Sequence, residues 1–316
     1  MSSHRPLSRV DVGARVSVRR RVEGALSDVV GDLEILDDEV HAVRTSAGSL
    51  VSVERADVVA ARVVGASPRE AIELEGISAR GWPAPDSQWL GQWWLRSADG
   101  FTARANSVRP LGSPGVPLDD ALHAVGAWYG ERGLPPRVQV VVGSRLDREL
   151  ARRGWAAAPE VSVMTATLAL VTSRLPESGG LNVEVPNVEV TSAASPAWLR
   201  LFRGGDTPPV ARAILDGPPV AGFATLDDDA GAPVAIGRAA VEPPWVGLAA
   251  IEVAPAMRHR GYGRAVIAEL TSWARQRGAL RAYLEVLATN EPAIGLYRSL
   301  GFTEHHRYAC RRAPSQ

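Results

Sequence analysis

The chain has 316 residues, of which 46% are hydrophobic and 22% charged, and this predicts a globular protein of two or three domains with an ample core. Its 35 basic and 35 acidic residues give a formal net charge of zero, which counts against a protein that binds nucleic acid by charge alone. A single cysteine, Cys310, excludes an intrachain disulfide, and no apolar run reaches membrane-spanning length. Because the first residues also lack a hydrophobic signal core, we expect a cytoplasmic protein without a membrane partner.

The first section, residues 1–66, is predicted to form a small SH3-like β-barrel. Residues 10–64 alternate apolar and polar positions in short runs separated by turn residues, which is typical of about five short strands. The three arginines at 19–21 could contact phosphate, but the acidic residues at 32–39 balance them. We therefore favour a solvated charged rim and expect no nucleic-acid partner.

A helix-compatible linker at 67–80 leads into a middle section at 81–178. Apolar residues at helical spacing predict a helix over 117–133, which is followed by a strand (RVQVVVG), a helix capped by Ser144 and a final strand (VSVMTATLALV). The segment 149–165 has the same order of helix, Gly-aromatic pair and strand as the later segment LYRSLGFTEHHRYAC. The middle section is therefore interpreted as a degenerate half-copy of the fold that follows it.

The third section, 186–316, begins after a break rich in Pro, Gly and Ser. Its predicted strands and helices alternate, which is typical of an α/β (α+β) fold with a mixed, twisted sheet.

The sequence APAMRHRGYGRAVIAEL at 254–270 lies between a predicted strand and a predicted helix. Gly261 and Gly263 let the backbone approach a ligand closely, and the first N–H groups of the helix have no intrahelical partner. The same turn carries cations that can reach phosphate oxygens, at Arg258, Arg260 and Arg264. These features predict an anion site, most naturally for a diphosphate.

Two kinds of cofactor carry a diphosphate that suits such a turn. A dinucleotide-binding turn needs a third glycine, where this chain has Val266, and it normally follows the first strand of its domain. Glu285 lies about twenty residues onward, near where a ribose-binding acid is expected. The late position of the turn and the missing glycine nevertheless disfavour a dinucleotide site.

The stretch VAPAMRHRGYG at 253–263 resembles the V-x-P-x-x-R-x-x-G-x-G pattern of the GNAT superfamily of N-acetyltransferases. A second stretch, LEVLATNEPAIGLYRSLGF, resembles the other GNAT signature, whose spaced residues are here Asn290, Ala293, Tyr297, Gly301 and Phe302. The resemblance is strong over about 186–316. The upstream sections resemble those of actinobacterial GNAT enzymes that have an N-terminal SH3-like domain.

The resemblance implies that an amine attacks the thioester of acetyl-CoA directly, without an acyl-enzyme. It implies that the pantetheine arm pairs with the strand ending at Val253, and that Tyr297 donates a proton or a hydrogen bond to the departing thiolate. No metal site is predicted. The implied cofactor-binding residues are Val253, Arg258, His259, Arg260, Gly261, Tyr262, Gly263, Arg264 and Asn290.

The sequence leaves the general base open. If strand alternation holds, Gly247 and Ala249 share the face of Val253 and cannot accept a proton, while Glu252 points the other way. Glu285, on the adjacent strand, is the first candidate. Glu304, His305 and His306 are weaker candidates for the base. Two alternatives need no protein base: water relays the proton, or the amine arrives already neutral.

The predicted function is an acetyl-CoA-dependent N-acetyltransferase that acts on a primary amine of a protein or a small molecule. The alternative is a catalytically weak, acetyl-CoA-binding regulatory module that recruits a protein or nucleic-acid partner through the SH3-like domain. The acceptor and the oligomeric state are not predicted.

Overall fold

The computed structural model describes residues 7–8, 11–45, 47–175, 188–205 and 207–314. The strands are β1 (Arg15–Val22), β2 (Ala25–Leu36), β3 (Val40–Thr45), β4 (Leu50–Glu54), β5 (Val58–Val63), β6 (Asp86–Leu90), β7 (Trp93–Ser97), β8 (Arg109–Pro110), β9 (Arg137–Val141), β10 (Ala156–Ala157), β11 (Val161–Thr167), β12 (Val188–Thr191), β13 (Ala221–Asp227), β14 (Pro233–Glu242), β15 (Trp245–Val253), β16 (Arg281–Leu287) and β17 (Thr303–Arg312). The α-helices are α1 (Pro68–Gly81), α2 (Leu118–Gly130), α3 (Arg145–Arg152), α4 (Leu168–Arg174), α5 (Pro196–Leu201), α6 (Pro209–Leu215), α7 (Tyr262–Arg275) and α8 (Glu291–Ser299). None of the described helices has both the length and the apolar character needed to cross a membrane.

The first section forms an antiparallel sheet of five strands, in the order β4-β3-β2-β1-β5. Apolar side chains of the alternating pattern pack in its core, among them Val16, Val18 and Leu33. The predicted five strands are confirmed, but the predicted closed barrel is wrong. In the described residues β4 and β5 are the two edges of the sheet and do not pair, and a 3-10 turn at Arg55–Asp57 connects them.

The other large sheet is mixed and has nine strands, in the order β10-β17-β11-β16-β15-β14-β13-β12, with β9 also paired to β17. The buried side chains of α4, α7 and α8 pack on one face of this sheet. The helices α1, α5 and α6 pack on the opposite face. The mixed α/β fold class is therefore confirmed.

The middle section repeats the element order of the third section. The order β8, α2, β9, α3 and β11 matches the order β15, α7, β16, α8 and β17, except that the two-residue strand β10 lies between α3 and β11. A parallel bridge between Val108 and Val138 joins the chain at β8 to β9, as β15 pairs in parallel with β16. Both α3 and α8 are followed by a glycine of positive φ and a buried aromatic residue, at Gly154–Trp155 and Gly301–Phe302. This recurrence agrees with the order of helix, Gly-aromatic pair and strand that segment 149–165 shares with LYRSLGFTEHHRYAC.

The two copies are joined by backbone pairing in one sheet. β11, from the middle section, pairs with β16 from Val161↔Leu287 to Thr167↔Arg281 and also pairs with β17. β17, from the third section, pairs in turn with β9 of the middle section. Each copy therefore contributes its last strand next to a strand of the other. The predicted break between the sections, RLPESGG at 174–180, lies outside the described residues from 176 onward.

The helix-compatible linker at 67–80 forms α1, because Ser67 and Glu70 make a capping box and Pro68 is favourable at the first helical position. One segment differs from its expected structure. The predicted final strand of the middle section ends at Thr167, four residues early. The Thr167 side chain accepts a hydrogen bond from the Leu170 N–H at 3.3 Å and so begins α4.

Candidate active site

The arginine-rich turn leads directly into α7. Gly261 is the N-cap residue and has φ of 84°, a left-handed conformation that favours glycine. Because Gly261 has no side chain, it leaves the first N–H groups of α7 without a side-chain acceptor. Arg258 and Arg260 are exposed beside these groups. Backbone and side chains together therefore offer hydrogen-bond donors and positive charge to an anion.

The strands β15 and β16 separate after their first four paired residues. Trp245–Leu248 pair in parallel with Arg281–Leu284, and no pairing follows between residues 249–253 and 285–287. On the side that faces β16, residues 249–253 therefore form a free edge without a partner strand, at which Arg258 Nε donates to the Val253 carbonyl at 3.4 Å. An extended amide-containing chain can add to such an edge as another strand would.

A bulge in β15 reverses the expected alternation of its side chains. Ala250 has φ of 52°, and the register with β14 shifts there. Ala249 and Ala250 consequently both pack with the cluster under α5, whereas Val253 packs with the cluster under α7. The expectation that Gly247 and Ala249 share a face with Val253 is therefore wrong.

The bulge also changes the position of Glu252. This residue pairs with Ile236, whose side chain belongs to the cluster under α5, so Glu252 lies on the same face as Ala249. One carboxylate oxygen accepts a hydrogen bond from the backbone N–H of Arg203 at 3.0 Å. Burial raises the pKa of the Glu252 carboxyl above its usual range. Sequence reasoning excluded Glu252 because it assumed an unbroken strand.

The N-terminus of α7, the end of β15 and the helix α8 converge at Gly263. A Cβ at this glycine would lie 3.6 Å from Leu296 Cδ2 and 3.7 Å from Val253 Cγ2. The predicted residues Val253 and Gly263 are thus brought together with the helix that carries Tyr297. Arg264 connects the same two helices, since its guanidinium donates to Ser299 Oγ at 2.5 Å.

The helix α8 has the predicted cap and the predicted tyrosine. Asn290 is the N-cap residue, and its side-chain oxygen accepts a hydrogen bond from the Ala293 N–H at 3.3 Å. Tyr297 is half-buried against Phe302, with the ring centroids 6.0 Å apart. Burial raises the pKa of Tyr297 to about 12, and its hydroxyl has no hydrogen-bond partner in the described part of the chain. The phenol is therefore protonated at neutral pH and free to donate.

Glu285 follows directly after the last paired residue of β16, but its carboxylate is already neutralised. Arg104 and Tyr308 each donate to it at 2.7 Å, and Ser78 donates a third hydrogen bond. The buried ion pair with Arg104, together with these bonds, lowers the pKa of Glu285 to about 2. A carboxylate of such low proton affinity is a poor base at neutral pH. Its assignment as the base stays a prediction, and this geometry counts against it.

The three weaker candidates for the base lie on β17, away from the separation of β15 and β16. Glu304 accepts hydrogen bonds from Ser162 and Arg307, both at 2.9 Å. His305 and His306 contact each other through their Nδ1 atoms at 2.8 Å. Burial lowers the pKa of His305 to about 3, so this ring is neutral. None of the three faces the free edge of β15.

Sequence reasoning missed Ser78 and Arg104, the two partners of Glu285 that come from outside the third section. They are 207 and 181 residues from Glu285 along the chain. Only the packing of α1 and the middle section against β16 brings them to the site, so no local motif could indicate them. The linker helix α1 and the middle section therefore both contribute to this site.

The comparisons with known proteins agree with this geometry. Residues 70–311 match the family model described as "Probable histone acetyltransferase Rv0428c C-terminal", and residues 10–62 match "Rv0428c N-terminal Sm-like domain". The first section is therefore similar to an Sm-like domain, where an SH3-like one was expected. "Probable histone acetyltransferase Rv0428c" of Mycobacterium tuberculosis is 32% identical over 96% of this chain and 96% of its own length. "Uncharacterized N-acetyltransferase YobR" of Bacillus subtilis is 31% identical over 74% of this chain and 96% of its own.

Solved structures show the same fold at low sequence identity. A GCN5-related N-acetyltransferase from Kribbella flavida has a TM-score of 0.56 at 18% identity, covering 78% of this chain and 96% of its own. A tandem GNAT protein from the clavulanic acid biosynthesis pathway has a TM-score of 0.52 at 13% identity, covering 80% and 91%. The chain is an N-acetyltransferase of the Rv0428c family, and its fold is that of the GNAT enzymes.

Proposed function

We propose that this enzyme transfers the acetyl group of acetyl-CoA directly to a primary amine of a protein or a small molecule. One observation carries the proposal. The free edge of β15, the amide-lined start of α7 and the helix bearing the unpartnered Tyr297 hydroxyl converge at Gly263.

The geometry supports binding of the whole coenzyme arm along this path. The diphosphate would accept hydrogen bonds from the first N–H groups of α7 and from Arg258 and Arg260. The amide groups of the pantetheine arm would pair with the free edge of residues 249–253, and Asn290 lies at the start of the neighbouring helix. The thioester would then lie near the point where the two strands separate.

In the proposed reaction, the amine nitrogen bonds to the thioester carbonyl carbon, and the carbon–sulfur bond then breaks. Tyr297 donates its proton to the departing thiolate and regains one from solvent. It suits this task because burial keeps its pKa high and its hydroxyl protonated.

The attacking nitrogen must also lose a proton, and we propose Glu252 as its acceptor, directly or through one water. Glu252 shares the Ala249 face of β15, and burial raises its proton affinity toward the range that general bases need. Glu285 is proposed to have a positioning role, since Arg104, Ser78 and Tyr308 hold its charge in place.

Calorimetric titration with acetyl-CoA tests the binding half of the proposal. We expect one binding site per chain in the intact protein and in the control Arg62→Glu, whose exposed arginine lies on β5. Arg258→Glu, which makes the same charge change, should weaken binding at least thirtyfold. Equal affinity in all three proteins would contradict the assigned site.

Release of free thiol tests the catalytic half. Peptides with a free N-terminus, lysine peptides, amino sugars and polyamines would each be offered with acetyl-CoA, to the intact enzyme and to Tyr297→Phe. We expect turnover with at least one amine class and a clear loss in the variant. Acetyl-CoA binding without turnover on any amine would contradict the proposed reaction.

A further inference from the structure

A cavity of about 760 Å³ lies in the middle section, in the part of the chain that the structure describes. It is bounded by α1, the end of β8, residues 139–141 of β9, the first turn of α3 and His306–Arg307 of β17. We call it the α1–β9 cavity. Its volume is in the range of pockets that hold small organic ligands. It lies where β8 and β9 separate after their parallel bridge, the place that corresponds to the separation of β15 and β16 in the other copy.

The cavity has apolar walls and a polar floor. The walls include Ala71, Ile72, Val140 and Leu146, and the floor is formed by Glu75, Gln139 and His306. Gln139 is only 1% exposed and donates its amide N–H to Glu75 at 2.9 Å. The amide oxygen of Gln139 accepts no hydrogen bond from any described residue. Because buried acceptors in proteins are almost always paired, this oxygen indicates a missing donor.

The other polar groups of the floor are occupied. Glu75 also accepts a hydrogen bond from His306 Nε2 at 2.9 Å and forms a buried ion pair with Arg109. The second ring nitrogen of His306 contacts His305. A ligand donor entering the cavity would therefore find Gln139 as the free acceptor of the floor.

The charges around the cavity favour an anion. Around the floor, the buried cations Arg96 and Arg109 and the half-buried Arg104 outnumber the carboxylates of Glu75 and Glu285 by one. Two of the Arg109 nitrogens have no partner among the described residues, and burial, with the Arg109 charge, lowers the pKa of Arg96 to about 9.

The mouth of the cavity adds two more cations, because Arg145 and Arg148 on the first turns of α3 are exposed. No ion pair involves Arg145 in the described residues, and the start of α3 places its positive dipole end at the same point. The only acid of that turn, Asp147, is paired with Arg311 at 2.8 Å.

The charge pattern does not suit a second coenzyme A. The loop after β8, residues 111–117, has no basic residue, and the first turn of α2 carries Asp119 and Asp120 where α7 has Arg264. A diphosphate there would meet like charge.

We propose that the α1–β9 cavity is a second ligand site, for a small organic anion with an apolar body and an N–H or O–H donor. The anionic group lies near Arg145 at the start of α3, the apolar body lies against α1, and the donor reaches Gln139. This site is separate from the proposed acetyl-CoA site and does not depend on it.

The dye 8-anilinonaphthalene-1-sulfonate is a suitable probe because it combines a sulfonate, a naphthalene group, a phenyl ring and one N–H donor. Fluorescence titration of the full-length protein should show one dye site per chain. Arg145→Gln should raise the Kd at least fivefold, while Arg152→Gln, an exposed arginine farther along α3, should change it less than twofold. Ile72→Trp, which fills the cavity, should abolish the site.

Acetyl-CoA binding to each variant, measured by calorimetry, checks that the fold is intact. Saturating acetyl-CoA should not displace the dye, and Arg258→Glu should leave the dye affinity unchanged. Absence of a saturable dye site, or displacement of the dye by acetyl-CoA, would overturn the proposal. An equal dye affinity in Ile72→Trp would overturn it as well.

Discussion

The two copies of the strand–helix–strand–helix unit have similar backbones and opposite charges. In the third section, Arg258 and Arg260 precede α7, Arg264 lies in its first turn, and the left-handed Gly261 stands between them. In the middle section, the corresponding turn has the left-handed Gly115 but no arginine, and α2 begins with two aspartates. Both copies also open a gap between parallel strands. The comparison shows that the backbone produces the gap between the parallel strands in both copies, whereas the charge of the side chains at the start of the next helix decides whether a diphosphate can bind there.

The largest expected effect concerns the contact between the two copies. Arg104→Leu leaves the carboxylate of Glu285 buried without its cation, and removing one member of a buried pair costs about 3–5 kcal/mol of the free energy of unfolding. Urea unfolding measures this loss. The control Arg80→Leu removes an exposed ion pair with Glu242 and should cost less than about 1 kcal/mol. Equal losses in the two variants would mean that the Arg104–Glu285 pair does not link the copies.

The same pair predicts a dependence on pH. The pKa of Glu285 falls from 4.5 to about 2 on folding, so its ionised form stabilises the protein above pH 4.5. That contribution is lost as the pH falls toward 2. In Glu285→Gln the free energy of unfolding should therefore fall less steeply between these pH values than in the intact protein.

The next effect tests the two turns directly. Gly261→Val forces a β-branched residue into the left-handed region and should weaken acetyl-CoA binding about a hundredfold, because the turn can no longer present its amides. Gly115→Val imposes the same strain on the corresponding turn, where φ is 81°. We expect it to leave acetyl-CoA affinity within twofold of the intact protein. The affinity of each variant for acetyl-CoA, measured by calorimetry, shows which of the two copies binds the coenzyme.

A smaller effect is expected from the tyrosine of α8. Tyr297→Phe keeps the ring packing on Phe302 and removes only the hydroxyl, so kcat should fall about thirtyfold with an unchanged Kd for acetyl-CoA. Tyr129→Phe is the control from the middle section, because its hydroxyl donates to the Arg96 carbonyl at 2.8 Å and is not part of the proposed acetyl-CoA site. It should reduce stability by about 1 kcal/mol and leave kcat unchanged. A normal kcat in Tyr297→Phe would exclude the phenol as the proton donor.

The smallest effect concerns the base. Glu252→Gln should lower kcat/KM about tenfold at neutral pH and flatten the acid limb of its pH profile, because the group that must be deprotonated is gone. The control Glu269→Gln, on the exposed face of α7, should keep the full pH profile. If Glu252→Gln keeps the acid limb, another group accepts the proton. Since burial raises the pKa of Glu252, neutralising it should not destabilise the fold at neutral pH.

Local chemistry explains which parts could be predicted from sequence. The left-handed glycine before α7, the Asn290 cap and the Gly301–Phe302 end of α8 each depend on residues within a few positions of one another. The bulge at Ala250 could not be predicted, since alanine has no preference for positive φ. It misdirected the search for a base, because one extra residue moves Glu252 onto the same face of β15 as Gly247.

Long-range pairing accounts for the other differences. The placement of β11 beside β16 depends on the whole sheet, and no residue of β11 indicates its partner. The ion pair of Arg104 with Glu285 follows from that placement and from the packing of α1. Periodicity and motif spacing therefore could not predict that each copy places its last strand beside a strand of the other copy.

Hydrogen exchange of the full-length protein with and without saturating acetyl-CoA tests the central claim most directly. The backbone amides at 249–253, 261–265 and 290–297 should gain protection, because the coenzyme binds the free edge of β15, the start of α7 and the face of α8. The corresponding amides at 109–121 in the middle section should not change. Protection confined to 109–121, or absent from the start of α7, would contradict the assignment of the acyl-CoA site to the third section.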